Sequence, residues 1–250
     1  MRRIFNLLPF FLFLLPAAAP GAEGNLNQVV NALEAPFKAD AARQAILDMQ
    51  ADFSQVSRLT SLDRQQHGGG KVAIQFSAAV NAQAPLTRFR WDYDRPTEQA
   101  IVSDGRTMWV YLPENRQVIE SEIDSAGQNR ADDPMTFLTG LGNLSRDFQI
   151  TWASPHQDAE GNYALELRPR RPSPLIDRML VVVDRQAVHA KGQKAVFPIV
   201  STSVFDPGGN STWIEFGNTR VNRGIAADRF RFVPPAGVEV LHPSEGGMGF

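Results

Sequence analysis

Residues 87–94 read TRFRWDYD, and this stretch decides the fold. Polar and aromatic residues alternate along it, which is the period of an extended strand and not of a helix. We therefore predict a half-buried β-strand with one aromatic face and one charged face. The aromatic face carries Phe89, Trp91 and Tyr93, and the charged face carries Arg88, Arg90, Asp92 and Asp94.

The segments after this strand continue the same pattern. Residues 99–103 and 107–112 flank Asp104-Gly105, a strong hairpin signal. Apolar or alternating runs elsewhere predict more strands, at residues 49–59, 116–122, 148–153, 163–168, 176–184, 196–205, 211–218 and 230–233. Eleven short strands without a strand–helix–strand rhythm predict a curved antiparallel sheet or barrel.

Few segments have helical spacing. Val29, Val30 and Leu33 predict a short first helix, and a second is predicted from a cap at Asp40 to Met49. Residues 134–141 predict a third, apolar helix that begins at Pro134 and ends at Gly140 or Gly142. Because polar residues flank this helix, we expect it to form a lid over the barrel opening. Residues 68–70, three glycines, are interpreted as a turn or bulge.

The first 22 residues are typical of a secretory signal. Arg2 and Arg3 precede an apolar run over residues 4–15, and small residues follow to residue 22. We place the cleavage site between Gly21 and Glu23 and treat residues 23–250 as a single exported domain. The chain has no cysteine, which favours a periplasm and excludes a lipid anchor on the mature N-terminus.

Charge and motif content argue against several function classes. Removing Arg2 and Arg3 from the 25 basic residues leaves 23 against 27 acidic residues, a net charge of −4. No basic cluster is present, so nucleic acid is an unfavourable partner. The four histidines lack metal-ligand spacing, and there is no Gly-x-Ser-x-Gly motif. We therefore expect no metal, no cofactor and no enzymatic activity.

The large apolar side chains have two interpretations. They form either an ordinary packed core or the wall of a cavity, and periodicity does not separate the two. If a cavity exists, our candidates for its lining are Phe89, Trp91, Tyr93, Trp109, Phe137, Leu138, Phe148, Trp152 and Phe216.

Several motifs together resemble one family. They are FRWxYxxP at 89–96, QxIVSDG at 99–105, WxYxP at 109–113 and FxFxPPxGV at 230–238, with Phe53-Ser54-Gln55 before them. In this series the chain resembles the LolA family of periplasmic lipoprotein carriers over nearly the whole mature sequence. The block from 89 to 118 is the specific part.

The resemblance implies a fold and a function. The fold would be an incomplete antiparallel barrel of about eleven strands, with a helical lid over a hydrophobic cavity. The function would be that of a soluble, monomeric periplasmic chaperone for acylated lipoproteins. It would take them from an inner-membrane ABC transporter to an outer-membrane lipoprotein receptor. Pro134, Gly140 and Gly142 would be lid or hinge positions.

One position departs from the family pattern. This chain has Ala84 before Pro85. Many relatives have an arginine at this position, and it holds the lid helices closed through hydrogen bonds. Three alternatives stay open at this stage. They are the related outer-membrane receptor, which is normally lipid-anchored, a periplasmic lipid-binding sensor, and a lipase that acts on acyl chains.

Overall fold

The computed structural model describes residues 25–38, 45–76, 87–123, 138, 140–190 and 195–242. The predicted signal peptide at 1–22, the cap at Asp40, Ala84, Pro134 and Phe137 lie outside these ranges. Among the described residues, no helix has the length and apolar character needed to cross a membrane.

Twelve strands form one sheet in the order β12-β6-β5-β4-β3-β2-β1-β11-β10-β9-β8-β7. Neighbours are antiparallel except β12 and β6, which are parallel. The two edge strands, β12 and β7, do not pair with each other, so the sheet is not closed. The prediction of a mainly β protein with an unclosed sheet is confirmed, and the sheet has one strand more than expected. The strands are β1 (Asp48–Leu59), β2 (Arg64–Gln75), β3 (Arg88–Arg95), β4 (Gln99–Ser103), β5 (Thr107–Leu112), β6 (Gln117–Glu122), β7 (Phe148–Gln157), β8 (Tyr163–Pro169), β9 (Arg178–Val183), β10 (Ile199–Phe205), β11 (Ser211–Val221) and β12 (Glu239–Leu241).

Short helices interrupt the strands in the described ranges. The α-helices are α1 (Leu26–Glu34), α2 (Leu144–Asp147) and α3 (Arg185–His189). Single turns of 3-10 helix lie at Ala35–Phe37, Thr60–Leu62, Leu141–Asn143 and Ala227–Phe230. The prediction of α1 is confirmed, and the Asn25 side chain accepts a hydrogen bond from the Asn27 N–H at its start.

Two helix predictions need correction. The second helix does not reach Met49, because this residue lies in β1, where Ile74 and Val221 flank it on the neighbouring strands. The third does not end at Gly140 or Gly142, because helical structure continues from Leu141–Asn143 into α2. Burial of Leu141 and Leu144 against the sheet stabilises this continuation.

The core lies on one side of the sheet, which we call the inner face. Its side chains follow rows across the strands, such as Ala51, Val72, Trp91, Ile101 and Val110. Helix α1 and the 141–147 segment pack onto the same face through Val29, Leu33, Leu141 and Leu144. This one cluster includes residues from β1 to β11.

The opposite side, the outer face, is covered in part by residues 222–242. Phe230 and Ile225 pack against Ala73 of β2, and Phe232 contacts the rings of Trp109 and Tyr111. The predicted strand at 230–233 is therefore wrong, since the chain turns at Ala227–Phe230 and then runs without strand pairing to Val238. Pro234 and Pro235 have no N–H to donate to a ladder, which disfavours a strand there.

The three glycines at 68–70 lie in strand β2, where the pairing with β3 shifts at a bulge between Gly69 and Gly70. Of the two predicted alternatives, the bulge is confirmed and the turn is wrong. Strand β2 pairs with β1 and β3 on its two sides, and these glycines lie in the ladder. A Cβ added at Gly70 would lie 1.9 Å from the Asp92 carbonyl oxygen. Without a side chain at Gly70, the rings of Phe53 and Tyr93 meet across β2 at 4.8 Å between centroids.

We expect Gly70→Ala to destabilise the protein. The new methyl group overlaps backbone of β3, so the strands must separate, at a cost of about 2 kcal/mol or more. Thermal unfolding should then show a melting temperature lower by about 4–8 °C. The control is Gly217→Ala in β11, where an added Cβ meets nothing within 4 Å. An equal effect of the two substitutions would contradict the tight approach of β2 and β3.

Candidate ligand-binding face

Most of the cavity candidates that the structure describes lie on the inner face. Phe89 and Trp91 are each 1% exposed, and Tyr93 is half-buried beside them. The other members on this face are Leu138, Phe148, Trp152 and Phe216. Their part in binding a ligand stays a prediction, whereas their common position on one apolar face is a property of the structure.

Trp109 does not belong to this group. It lies on the outer face of β5, where its ring contacts Phe232 and its Nε1 donates to Glu120 Oε2 at 2.9 Å. In the sequence, Trp109 alternates with its neighbours just as the inner-face aromatic residues of β3 do. In β5, however, Met108 and Val110 point to the inner face, so Trp109 between them points to the outer face. Aromatic character alone therefore does not assign the face.

The structure adds further aromatic residues to the inner group, among them Phe53 and Phe197. Phe53 stacks edge-on against Trp91 with ring centroids 4.8 Å apart, and Phe197 contacts Phe216 at 6.0 Å. Phe53 could have been found from the sequence, because it follows Met49 and Ala51 at strand spacing. Phe197 falls within the strand predicted at 196–205, but in the structure it lies in an irregular segment before β10, which begins at Ile199.

A chain of polar side chains crosses the inner face at one end of the aromatic group. The Tyr93 hydroxyl donates to Gln55 Oε1 at 2.8 Å, and Gln55 Nε2 donates to Ser57 Oγ at 3.1 Å. Ser57 Oγ and Thr212 Oγ1 share a further hydrogen bond of 3.2 Å. Burial raises the pKa of Tyr93, so its hydroxyl stays protonated at neutral pH. The inner face thus passes from apolar to polar along β1 and β3.

Helix α1 and the 141–147 segment, together called the helical cover, are joined by one buried carboxylate. Glu34 is 4% exposed, and its Oε1 accepts a hydrogen bond from the Ser145 N–H in the first turn of α2. Its Oε2 forms an ion pair with Lys38 Nζ at 3.0 Å. A buried charge is costly unless it is paired, and these two contacts compensate Glu34.

Other contacts join the helical cover to the segments around it. A Cβ added at Gly142 would lie 3.0 Å from the Phe37 carbonyl oxygen, so the backbone of the 3-10 turn after α1 approaches the 141–147 segment closely. At the far end of α1, Gln28 Nε2 donates to the Val188 carbonyl of α3 at 3.4 Å. Arg170 after β8 donates from its backbone N–H to the Asp147 carbonyl at 2.9 Å.

The histidines and acidic residues that the structure describes do not cluster as metal ligands. No three of their side chains come together in a way that could hold a metal ion. The His189 ring hydrogen-bonds the Tyr163 hydroxyl at 3.1 Å, and His156 stacks beside Trp152. These are single pairings. The arrangement that the structure offers is a covered apolar face with a polar border.

Sequence comparison places this chain in a known family. The family model described as outer membrane lipoprotein carrier protein LolA matches residues 44–233. An outer-membrane lipoprotein carrier protein of Azotobacter vinelandii is 29% identical over 216 residues, covering 79% of this chain and 92% of the relative. A protein of the same name from Methylococcus capsulatus is 30% identical, covering 77% of this chain and 80% of the relative.

The solved structures that align with this chain are more distant from it in sequence. An uncharacterized conserved protein from Thermus thermophilus aligns with a TM-score of 0.46 at 12% identity, covering 87% of this chain and 98% of that one. A LolA superfamily protein from Nitrosomonas europaea aligns with a TM-score of 0.37 at 13% identity, covering 83% and 96%. Because the family model covers most of the chain, the protein belongs to the outer membrane lipoprotein carrier protein LolA family.

Proposed function

We propose that this protein carries acylated lipoproteins through the periplasm, with their acyl chains bound against the inner face. The observation that carries the proposal is the inner face itself, a broad aromatic and aliphatic surface covered by short helices. The relatives named as outer-membrane lipoprotein carrier proteins support the same function. No reacting group is required, so the proposed activity is binding and release and not catalysis.

The physical task sets the scale of the surface. Each methylene that leaves water contributes about 0.8 kcal/mol, so one 16-carbon chain contributes about 12 kcal/mol. A carrier must supply an equivalent apolar surface and give it up again at the destination. A face covered by separable helices fits this requirement, because the helices and the acyl chains compete for the same side chains.

The proposed lining comprises the inner-face candidates Phe89, Trp91, Tyr93, Leu138, Phe148, Trp152 and Phe216, with Phe137 added from the sequence. Trp109 is left out, because it lies on the outer face. The proposed mobile part is the helical cover, with Pro134, Gly140 and Gly142 as hinge candidates. Gly140 directly precedes the Leu141–Asn143 turn, which suits a hinge there.

The remaining parts of the proposal follow from the family. The protein would be exported by a signal peptide at residues 1–22 and act as a monomer without metal or cofactor. It would receive lipoproteins from an inner-membrane ABC transporter and deliver them to an outer-membrane receptor. A lipase acting on the same chains is the competing function, and ester hydrolysis by the purified protein would favour it.

The proposal predicts a bound lipoprotein. Native mass spectrometry of protein purified from the periplasm should show a species heavier by the mass of an acylated lipoprotein. Phe216→Glu should remove that species and keep near-native melting, because a ligand-binding face can hydrate the carboxylate when it is empty. Phe205→Glu is the control, since Phe205 lies on the outer face, where Arg178 stacks over its ring at 3.7 Å.

Two outcomes would count against this function. The carrier function would be excluded if the native protein never contained lipoprotein and released none from spheroplasts. Unfolding of the Phe216→Glu protein, with Phe205→Glu unaffected, would show that the aromatic group is a packed core.

The contacts of Glu34 predict how firmly the helical cover is held. Glu34→Ala removes the acceptor for the Ser145 N–H and the partner of Lys38, so we expect the cover to open more often. Hydrogen exchange at Ser145 and along α1 should become faster by about tenfold, with little change in β3 and β8. Glu215→Gln is the control, since Glu215 is exposed on the outer face. Uniformly faster exchange would instead indicate global destabilisation.

A further inference from the structure

Two buried side-chain polar atoms have no hydrogen-bond partner in the part of the chain that the structure describes. They are Trp91 Nε1 and Ser121 Oγ. Both residues occupy inner-face positions, since Trp91 is opposite Ile101 and Ser121 is opposite Met108. A buried unpaired donor costs about 1–3 kcal/mol, so such groups are rare and require an explanation.

The surroundings of Trp91 explain why its N–H is unpaired. Val72 and Ile101 flank it on the neighbouring strands, and the rings of Phe53 and Phe216 pack against it at 4.8 Å and 6.2 Å between centroids. All four neighbours lack a side-chain acceptor. Trp109 on the outer face differs, because Glu120 accepts its indole N–H at 2.9 Å.

Trp91 also marks the border between the two parts of the inner face. Phe89 and Met49 continue the apolar surface on one side. Two residues further along β3, Tyr93 begins the hydrogen-bonded chain through Gln55 and Ser57 to Thr212. A ligand with an apolar tail and a neutral polar link would match this change in surface chemistry.

We propose that the Trp91 indole N–H binds the ester carbonyl through which an acyl chain is attached to its lipoprotein. The indole only donates, so its partner is an acceptor. Its apolar surroundings disfavour a charged acceptor such as phosphate or carboxylate. The acyl chain then lies along the Phe89 side, and the head of the lipoprotein lies toward Gln55 and Ser57. This inference rests on the proposed carrier function.

Two synthetic lipopeptides test the inference. They share one peptide and two 16-carbon chains, and differ only in whether the chains are joined through esters or through ethers. Isothermal titration calorimetry should show that the protein binds the ester form about threefold to tenfold more tightly, which is the contribution of one hydrogen bond. Trp91→Phe should remove this preference, so that the variant binds the two lipopeptides equally. Trp109→Phe, which makes the same change on the outer face, should keep it.

A spectrum of the wild-type protein gives a second readout that does not depend on the stability of the Trp91→Phe variant. The chain has four tryptophans, so four indole N–H signals are expected in a ¹⁵N spectrum. The Trp91 signal, assigned by comparison with the other Trp→Phe variants, should shift downfield with the ester lipopeptide and not with the ether form.

The outcomes separate the inference from the function on which it rests. Equal binding of the two lipopeptides, with an unshifted Trp91 signal, would overturn the carbonyl contact and leave the carrier function intact. Failure to bind either lipopeptide would overturn the carrier function itself.

Discussion

The structure depends on how the inner face of an unclosed sheet is kept from water. Helix α1 has nine residues and α2 has four, and helices of this length are not stable alone. Their formation depends on Val29, Leu33, Leu141 and Leu144 packing on the sheet. Cover and sheet therefore stabilise each other, and a ligand that took over the inner face would also remove the support of the helices.

The two faces of the sheet are covered by different means. On the outer face, residues 222–242 add strand β12 beside β6, and Arg229 pairs with Asp92 at 2.6 Å. On the inner face, the cover pairs with no strand in the described ranges and is joined by few polar contacts, Glu34 among them. Backbone ladders lose many hydrogen bonds when they open, whereas a packed helix loses few. We therefore propose that the helical cover, and not residues 222–242, is the part that separates from the sheet.

The sequence predicted those elements whose local pattern agrees with their environment. Strand β3 is half-buried and alternates, and the hairpin at Asp104 follows its turn signal, with the Asp104 carboxylate accepting from the Arg106 and Thr107 N–H groups. Strand β2 was missed because glycine has low strand propensity, and only its two neighbouring strands make it extended. Trp109 lies on one side of the sheet or the other according to the register of β5, and the type of side chain does not determine that register.

The polar groups of the inner face differ in what they can add to binding. The Tyr93 hydroxyl already donates a hydrogen bond to Gln55. A ligand that bound this hydroxyl would therefore replace one hydrogen bond with another. The Trp91 indole N–H has no hydrogen bond to give up, so a hydrogen bond from it to a ligand adds about 1 kcal/mol to the binding free energy. That gain is small beside about 12 kcal/mol for the burial of one acyl chain. A carrier that must release its cargo is better served by such a contact, because it orients the lipid while its share of the binding free energy stays small beside that of the acyl chain.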